Sequence, residues 1–283
     1  MRSQRAYGDP GQAAISSAEP QEGPIPMAEP YTSLSLSDFV ATVEIRRPPN
    51  NHVNVPMIAE LADALERLGV EPQCRAIVLC SEGKHFSAGA DLGSRGPDGR
   101  GTVERGRHLY KEAIRLWRTA KPIVAAVQGA AVGAGLGLAV MADFRVGCTE
   151  TRLSANFTRL GFHPGFGLTA TLPRLIGLQH AALMIYTGRR ISGEEAKAMG
   201  LIDQLVPQEQ VREAAVALAT EIAQSAPLAI VATRETLRRG LAAAVQAATE
   251  REYQEQNWLR ETEDFREGVR AMAERRLPEF KGE

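Results

Sequence analysis

Apolar and polar residues alternate through residues 34–36 and again through 39–45, with Ser37-Asp38 between them; a period of two broken by a polar pair predicts a β-hairpin. From 56 to 68 the period changes, and Ile58, Leu61, Leu65 and Leu68 recur at helical spacing. Residues 76–80 are then continuously apolar and partly β-branched, as suits a strand buried on both faces. The pattern repeats with a polar helix predicted from about 103 to 118, a strand at Ile123–Val127, a glycine-rich helix opening near Gly133, and a strand at Phe144–Gly147. Strands alternating with helices imply an α/β fold with right-handed crossovers.

Beyond Leu168 the pattern is almost wholly helical. Ser192-Gly193-Glu194-Glu195 reads as an N-cap followed by first-turn acids, residues 202–206 as one late strand, and 208–224 and 228–241 as amphipathic helices before a charged tail helix from about 263 to 276. No repeat and no Pro/Ser linker interrupts residues 27–283. Three parts are therefore expected: a disordered N-terminal extension over 1–26, an α/β core over 27–205, and a helical C-terminal lobe over 206–283. Pro, Gly, Gln and Ser dominate the extension, and Asp9, Glu19 and Glu22 fit neither an apolar signal segment nor an acid-poor transit peptide. Met27 stands immediately before the first strand-like sequence and is a natural start.

Composition narrows the function. A chain of 283 residues can bury a full core without disulfide staples. With 33 basic against 34 acidic side chains there is no global field to draw in nucleic acid or an anionic membrane, so an anionic ligand must be held locally. No apolar run reaches the roughly 18 to 20 residues of a bilayer span. Cys74, Cys80 and Cys148 share no metal-like spacing and read as reduced buried thiols, consistent with a cytoplasmic setting and no metal site.

Two segments carry candidate chemistry. His85-Phe86-Ser87-Ala88-Gly89-Ala90-Asp91-Leu92 follows a strand, and its small residues let a ligand approach the backbone. Gln128-Gly129-Ala130-Ala131-Val132-Gly133-Ala134-Gly135-Leu136-Gly137 also follows a strand and opens a helix, whose unpaired N–H groups and positive dipole end suit an oxygen that becomes negative. It matches neither the dinucleotide glycine spacing nor a P-loop, which needs a Lys. Each segment alone also reads as a tight turn or a small-residue packing surface.

Together they resemble the paired signatures of the enoyl-CoA hydratase/isomerase, or crotonase, superfamily, over about residues 31–282. Further matches are Arg47-Pro48-Pro49-x-Asn51, Pro164-Gly165-x-Gly167, Thr187-Gly188-Arg189-Arg190-Ile191-Ser192 and Asp264-x-x-Glu267-Gly268. The resemblance implies a spiral of strand-strand-helix repeats with a helical C-terminal lobe. It also implies an acyl-CoA ligand, no metal or redox cofactor, and assembly as a homotrimer or dimer of trimers. On this view the backbone N–H groups of Ala88 and Ala134 form an oxyanion hole for the thioester carbonyl, and Gly89, Ala90, Asp91 and Gly133 lie along the ligand.

The sequence departs from the family's hydratases at both positions where these carry glutamates, which here are Gly137 and Phe157. Neither side chain transfers a proton, so classical hydration is in doubt, and restoring glutamate at both positions is expected to raise it. Isomerisation, decarboxylation, hydrolysis and atypical hydration through a thioester enolate remain open, as does a non-catalytic acyl-CoA-binding role. His163, in Phe162-His163-Pro164-Gly165, is the substitute acid/base, or else a structural loop histidine. His85 and His108 are lesser candidates. Arg46, Arg47, Lys84 and Lys281 are candidate phosphate partners, and the tail residues Trp258 and Phe265 are expected over the site or a neighbouring subunit.

Overall fold

The computed structural model describes residues 30–90, 103–104 and 107–283. The segment 1–26 and Asp91 lie outside the described residues. The chain opens with the hairpin of β1 (Thr32–Ser37) and β2 (Val40–Ile45), antiparallel with Thr32 opposite Ile45. Asp38 and Phe39 turn it at φ of 51° and 65°, the positive values that a two-residue hairpin loop requires. Asn54 then caps α1 (Val55–Val70) by accepting the Met57 N–H at 3.0 Å, and Pro56 occupies the first turn, where its missing N–H is not needed. The helix returns the chain to β3 (Ala76–Ser81), parallel to β2 and buried along its whole length.

The next segment corrects the sequence reading. The polar helix predicted from about residue 103 is instead a short antiparallel pair, β4 (Val103–Glu104) and β5 (Arg107–His108), and α2 runs only over Leu109–Leu116. Gly106 stands within the predicted helix, where glycine costs about 1 kcal/mol relative to alanine. Two spiral turns follow. β6 (Ile123–Val127) joins the main sheet beside β3, β7 (Ala130–Val132) starts a second sheet, and α3 (Ala134–Met141) closes the turn. β8 (Phe144–Gly147) and β9 (Arg152–Ser154) repeat the move before α4 (Leu168–Thr187). β10 (Ile191–Ser192) then pairs with β9, α5 (Gly193–Ala198) carries the expected Ser192 to Glu195 capping box, and β11 (Gln204–Leu205) ends the main sheet. The main sheet is ordered β1-β2-β3-β6-β8-β11 and the small one β10-β9-β7, so the β6-β7-α3 and β8-β9-α4 turns each give a strand to each sheet and then a helix.

The C-terminal region is helical, as expected, and packs against the core. α6 (Val211–Ala223) lays Val211, Ala215, Ala219 and Ala223 on the face of the main sheet formed by Ala76, Val78, Val124 and Val146. Asp143, before β8, forms ion pairs with Arg234 of α7 (Pro227–Leu237) at 2.9 Å and with Arg238 at 2.8 Å. Two helices complete the chain, α8 (Leu241–Leu259) and α9 (Glu263–Ala273). α8 escapes a search for apolar periodicity because its inward stripe reads Leu241, Val245, Thr249, Glu252, Gln256: the spacing is helical, but three of the five side chains are polar. Glu252 and Gln256 are both paired, as buried polar groups must be. Glu252 accepts the N–H groups of Gly167 and Thr169 at 2.8 and 3.0 Å, placing negative charge at the start of α4. Among the described residues no single helix is long and apolar enough to cross a membrane.

Candidate active site

The two glycine- and alanine-rich segments meet because the backbone zips them together. Phe86 N–H donates to Gln128 O at 2.9 Å, Ser87 N–H to Ala130 O at 3.0 Å, and Val132 N–H back to Ser87 O at 3.0 Å. Glycine makes the approach close enough: a Cβ on Gly135 of α3 would stand 2.7 Å from the Ser87 Cβ. Asn51, fully buried, fixes the outer side of the first segment by donating to the Glu82 and His85 carbonyls at 2.8 Å each. His85 has a structural part here, because its Nδ1 accepts the Ala130 N–H at 3.2 Å, and burial lowers its pKa from the usual imidazole value.

Ala134 is the first residue of α3. Gly133 precedes it at φ 54° and ψ −117°, a conformation open to glycine, and donates its own N–H to Ser154 O at 2.9 Å. The Ala134 N–H has no partner among the described residues, as expected of a first-turn donor without a side-chain cap. The structure redirects the other donor. Ala88 N–H is committed to the Asn50 carbonyl at 2.9 Å, because the segment runs beside residues 50–53. Two residues on, after Gly89 at φ 98°, the Ala90 N–H has no partner among the described residues. Ala90 and Ala134 line the same cavity, of about 350 Å³.

That cavity is walled by Phe157, Phe162 and Phe166, with Leu109, Leu160 and Met272 beside them. Phe157 lies edge-on to Phe162 at 5.4 Å, and Phe162 edge-on to Phe265 at 5.3 Å, so the tail helix α9 does reach the site, while Trp258 belongs to α8 and is exposed. Gly137 faces Phe166: a Cβ there would stand 2.7 Å from the ring's Cγ and 2.9 Å from its Cβ, with Cδ1 closer still. A glutamate at 137 therefore forces Phe166 to shift, so restoring it does not rebuild a carboxylate pair in the geometry present here.

His163 is not in this cavity. Phe162 and Phe166 turn inward, Gln256 donates to the His163 carbonyl at 2.8 Å, and the ring faces the other way, into a second cavity with Thr169, Leu178 and Tyr186. Its Nδ1 lies 2.9 Å from Pro164 O. Lys281 and Lys84 are exposed, the former held by its backbone to Asp264, and Arg46 is paired with Glu44. Arg47 reaches the His52 carbonyl at 2.6 Å. Sequence reasoning missed four polar groups of the cavity: His52, Tyr110, Asn156 and Arg260. His52 follows the matched Asn51 directly, which was the one available signal. Among the described residues no group of three or more His, Cys, Asp or Glu is placed to hold a metal ion.

A spiral that brings the starts of two loops over one apolar cavity can be compared with known proteins. The sequence model of the enoyl-CoA hydratase/isomerase family matches residues 36–283. The chain belongs to that family. A Bacillus subtilis relative named "Probable enoyl-CoA hydratase" is 34% identical over 89% of this chain and 98% of its own. The 2,3-dehydroadipyl-CoA hydratase of Escherichia coli is 33% identical over 88% of this chain and 98% of its own. Among solved structures, an enoyl-CoA hydratase/isomerase from Pseudoalteromonas atlantica superposes with a TM-score of 0.81 at 29% identity, covering 89% of this chain and all of the other. The spiral fold and the crotonase-type membership are thus established. The relatives' hydratase names give no support to the doubt about hydration raised by Gly137 and Phe157.

Proposed function

We propose that this enoyl-CoA hydratase/isomerase family member binds an acyl-CoA thioester with its carbonyl oxygen between the N–H groups of Ala90 and Ala134 and stabilises the enolate that forms there. The observation that carries the reading is that these two donors, unpartnered among the described residues, open on one apolar cavity. Backbone donors fixed in a water-poor site strengthen as the oxygen gains charge, and one such donor is worth about 3 to 4 kcal/mol in the transition state. The CoA portion leaves through an adjoining cavity of about 270 Å³ that shares Ala88, Val132 and Asn156 with the first and carries Arg159 and Arg190, cations suited to phosphate. Proton transfer falls to His52, which lines the same cavity with its Nδ1 3.3 Å from Gly89 O. Whether this serves water addition, as the relatives' names suggest, or double-bond migration is a matter of which carbon His52 addresses. No metal or redox cofactor enters the scheme.

Calorimetry with crotonyl-CoA and a panel of saturated and unsaturated acyl-CoAs, followed by turnover of whichever bind, tests the reading. Absence of binding at millimolar concentration overturns it. Binding without turnover of any member supports the second reading, a non-catalytic acyl-CoA binder, which is favoured by the phenyl rings of Phe157 and Phe166 at the places where the resemblance puts the hydratase carboxylates. We further propose a homo-oligomer, a trimer or dimer of trimers, because α7 buries no residue within the chain and Leu178, Leu183 and Tyr186 of α4 are exposed.

A further inference from the structure

We infer that the acyl group taken by this pocket carries a carboxylate of its own, received by Arg260; the inference rests on the acyl-CoA reading above and specifies its substrate class. Arg260 caps the C-terminus of α8, donates its backbone N–H to Gln256 O at 3.1 Å, and sends its guanidinium into the cavity that Ala90 and Ala134 line. A guanidinium stays charged, so a cation stands in an otherwise phenyl-lined space. What surrounds it is neutral. Its Nη2 donates to Gln256 Oε1 at 2.9 Å, and its Cζ lies 5.7 Å from the centre of the Phe162 ring. Gln256 Oε1 also accepts the Tyr110 hydroxyl at 2.7 Å, so both of its lone-pair directions are taken.

Among the described residues, four carboxylates of α8 and α9 are held elsewhere. Glu252 holds Gly167 and Thr169, Glu255 pairs with Arg251, Glu267 with Arg270 and Arg276, and Asp264 accepts the backbone N–H groups of Lys281 and Gly282. The Arg260 Nε is buried and has no acceptor among the described residues. Desolvation accordingly pushes its pKa below the usual arginine value, with Tyr110 and Tyr253 opposing. A buried donor left without an acceptor, on a charged group, is destabilising unless something arrives to meet it. A plain alkyl chain offers nothing. A carboxylate on the acyl group accepts from the edge of the guanidinium that lines the cavity, a planar charged donor suited to it.

The test measures affinity for succinyl-, glutaryl- and adipyl-CoA against the length-matched butyryl-, pentanoyl- and hexanoyl-CoA, in the intact protein and in Arg260→Gln and Arg260→Lys. At least one dicarboxylic thioester is expected to bind roughly 10-fold or more tighter than its alkyl counterpart, the scale of a charge-assisted hydrogen-bonded pair. Arg260→Gln should abolish that preference while leaving alkyl-thioester affinity in place, and Arg260→Lys should retain only part of it. Equal affinity for both series in the intact protein, or a preference that survives Arg260→Gln, overturns the assignment to Arg260 and leaves the acyl-CoA pocket standing. Failure of every thioester to bind overturns both. The wild-type comparison decides even if a variant does not fold.

Discussion

Replacing Gly137 by alanine should destabilise the protein even though it improves the helix. Gly137 lies inside α3 and is fully helical, so alanine there gains about 0.8 to 1 kcal/mol of intrinsic helix preference. Against this stands one methyl group placed 2.7 Å from Phe166 Cγ and 2.9 Å from its Cβ. Those atoms are the root of the side chain rather than its free end, the ring is fully buried, and the Phe166 backbone is held at φ 64°. Such overpacking costs about 1 to 3 kcal/mol, so the clash outweighs the propensity and the net change is a loss of up to about 2 kcal/mol. Phe166→Gly removes both offending atoms and suits the positive φ, although the lost ring costs about 3 to 5 kcal/mol by itself. In that background Gly137→Ala should reverse sign and stabilise by about 1 kcal/mol. Urea unfolding of the four proteins gives the coupling from midpoints and slopes. If Gly137→Ala stabilises the otherwise unchanged protein, or acts equally in both backgrounds, Phe166 does not fill that space and the argument against a glutamate there collapses.

Ala134→Pro should remove a donor without breaking α3, because proline is tolerated at the first helical position; turnover of any accepted thioester is expected to fall by about 100-fold or more with the circular dichroism spectrum unchanged. His52→Gln keeps a polar side chain but cannot act as a general acid or base, and should lower kcat by roughly 100-fold with little effect on thioester affinity; an unchanged kcat removes it from the chemistry. Glu267 is held well below the usual carboxylate pKa by the Arg276 hydrogen bond, then by the Glu279 N–H and Arg270. The tail stabilisation it supplies is therefore complete above pH 4.5, its ordinary value, and is lost as the pH falls below; Glu267→Gln should flatten the acid limb of a stability-against-pH curve.

What the sequence disclosed was whatever rests on apolar periodicity and glycine. The hairpin, α1, β3, β6 and β8 were legible because their burial is apolar and regular, and the capping box at Ser192 because its chemistry is local. The small sheet was not, since β7, β9 and β10 are two or three residues long, too short for a period to show. α8 was hidden because its buried stripe includes Glu252 and Gln256, which are held inside by hydrogen bonds rather than by hydrophobicity. The site followed the same division. The two glycine-alanine segments were found, but Ala88 was chosen over Ala90 because only the fold shows that the Asn50 carbonyl takes the Ala88 N–H. Likewise His163 sits in the matched loop, yet its side chain faces the second cavity because Phe162 and Phe166 claim the inward positions.

The residues that replace the expected carboxylates are not independent losses. Phe166 fills the space over Gly137, Phe157 packs on Phe162, and Phe162 in turn contacts Phe265 and underlies Arg260. An aromatic wall built in this way excludes water from the thioester, and in a dry cavity each remaining dipole and charge acts with less screening. In the proposed binding mode, the Ala90 and Ala134 donors therefore hold an enolate more strongly, and the Arg260 cation discriminates between acyl groups more sharply, than either would in a wet site. Replacing a single phenyl ring by a polar residue should weaken thioester selectivity, because water entering the cavity restores the screening; selectivity unchanged in a Phe157→Gln variant would refute this role of the wall.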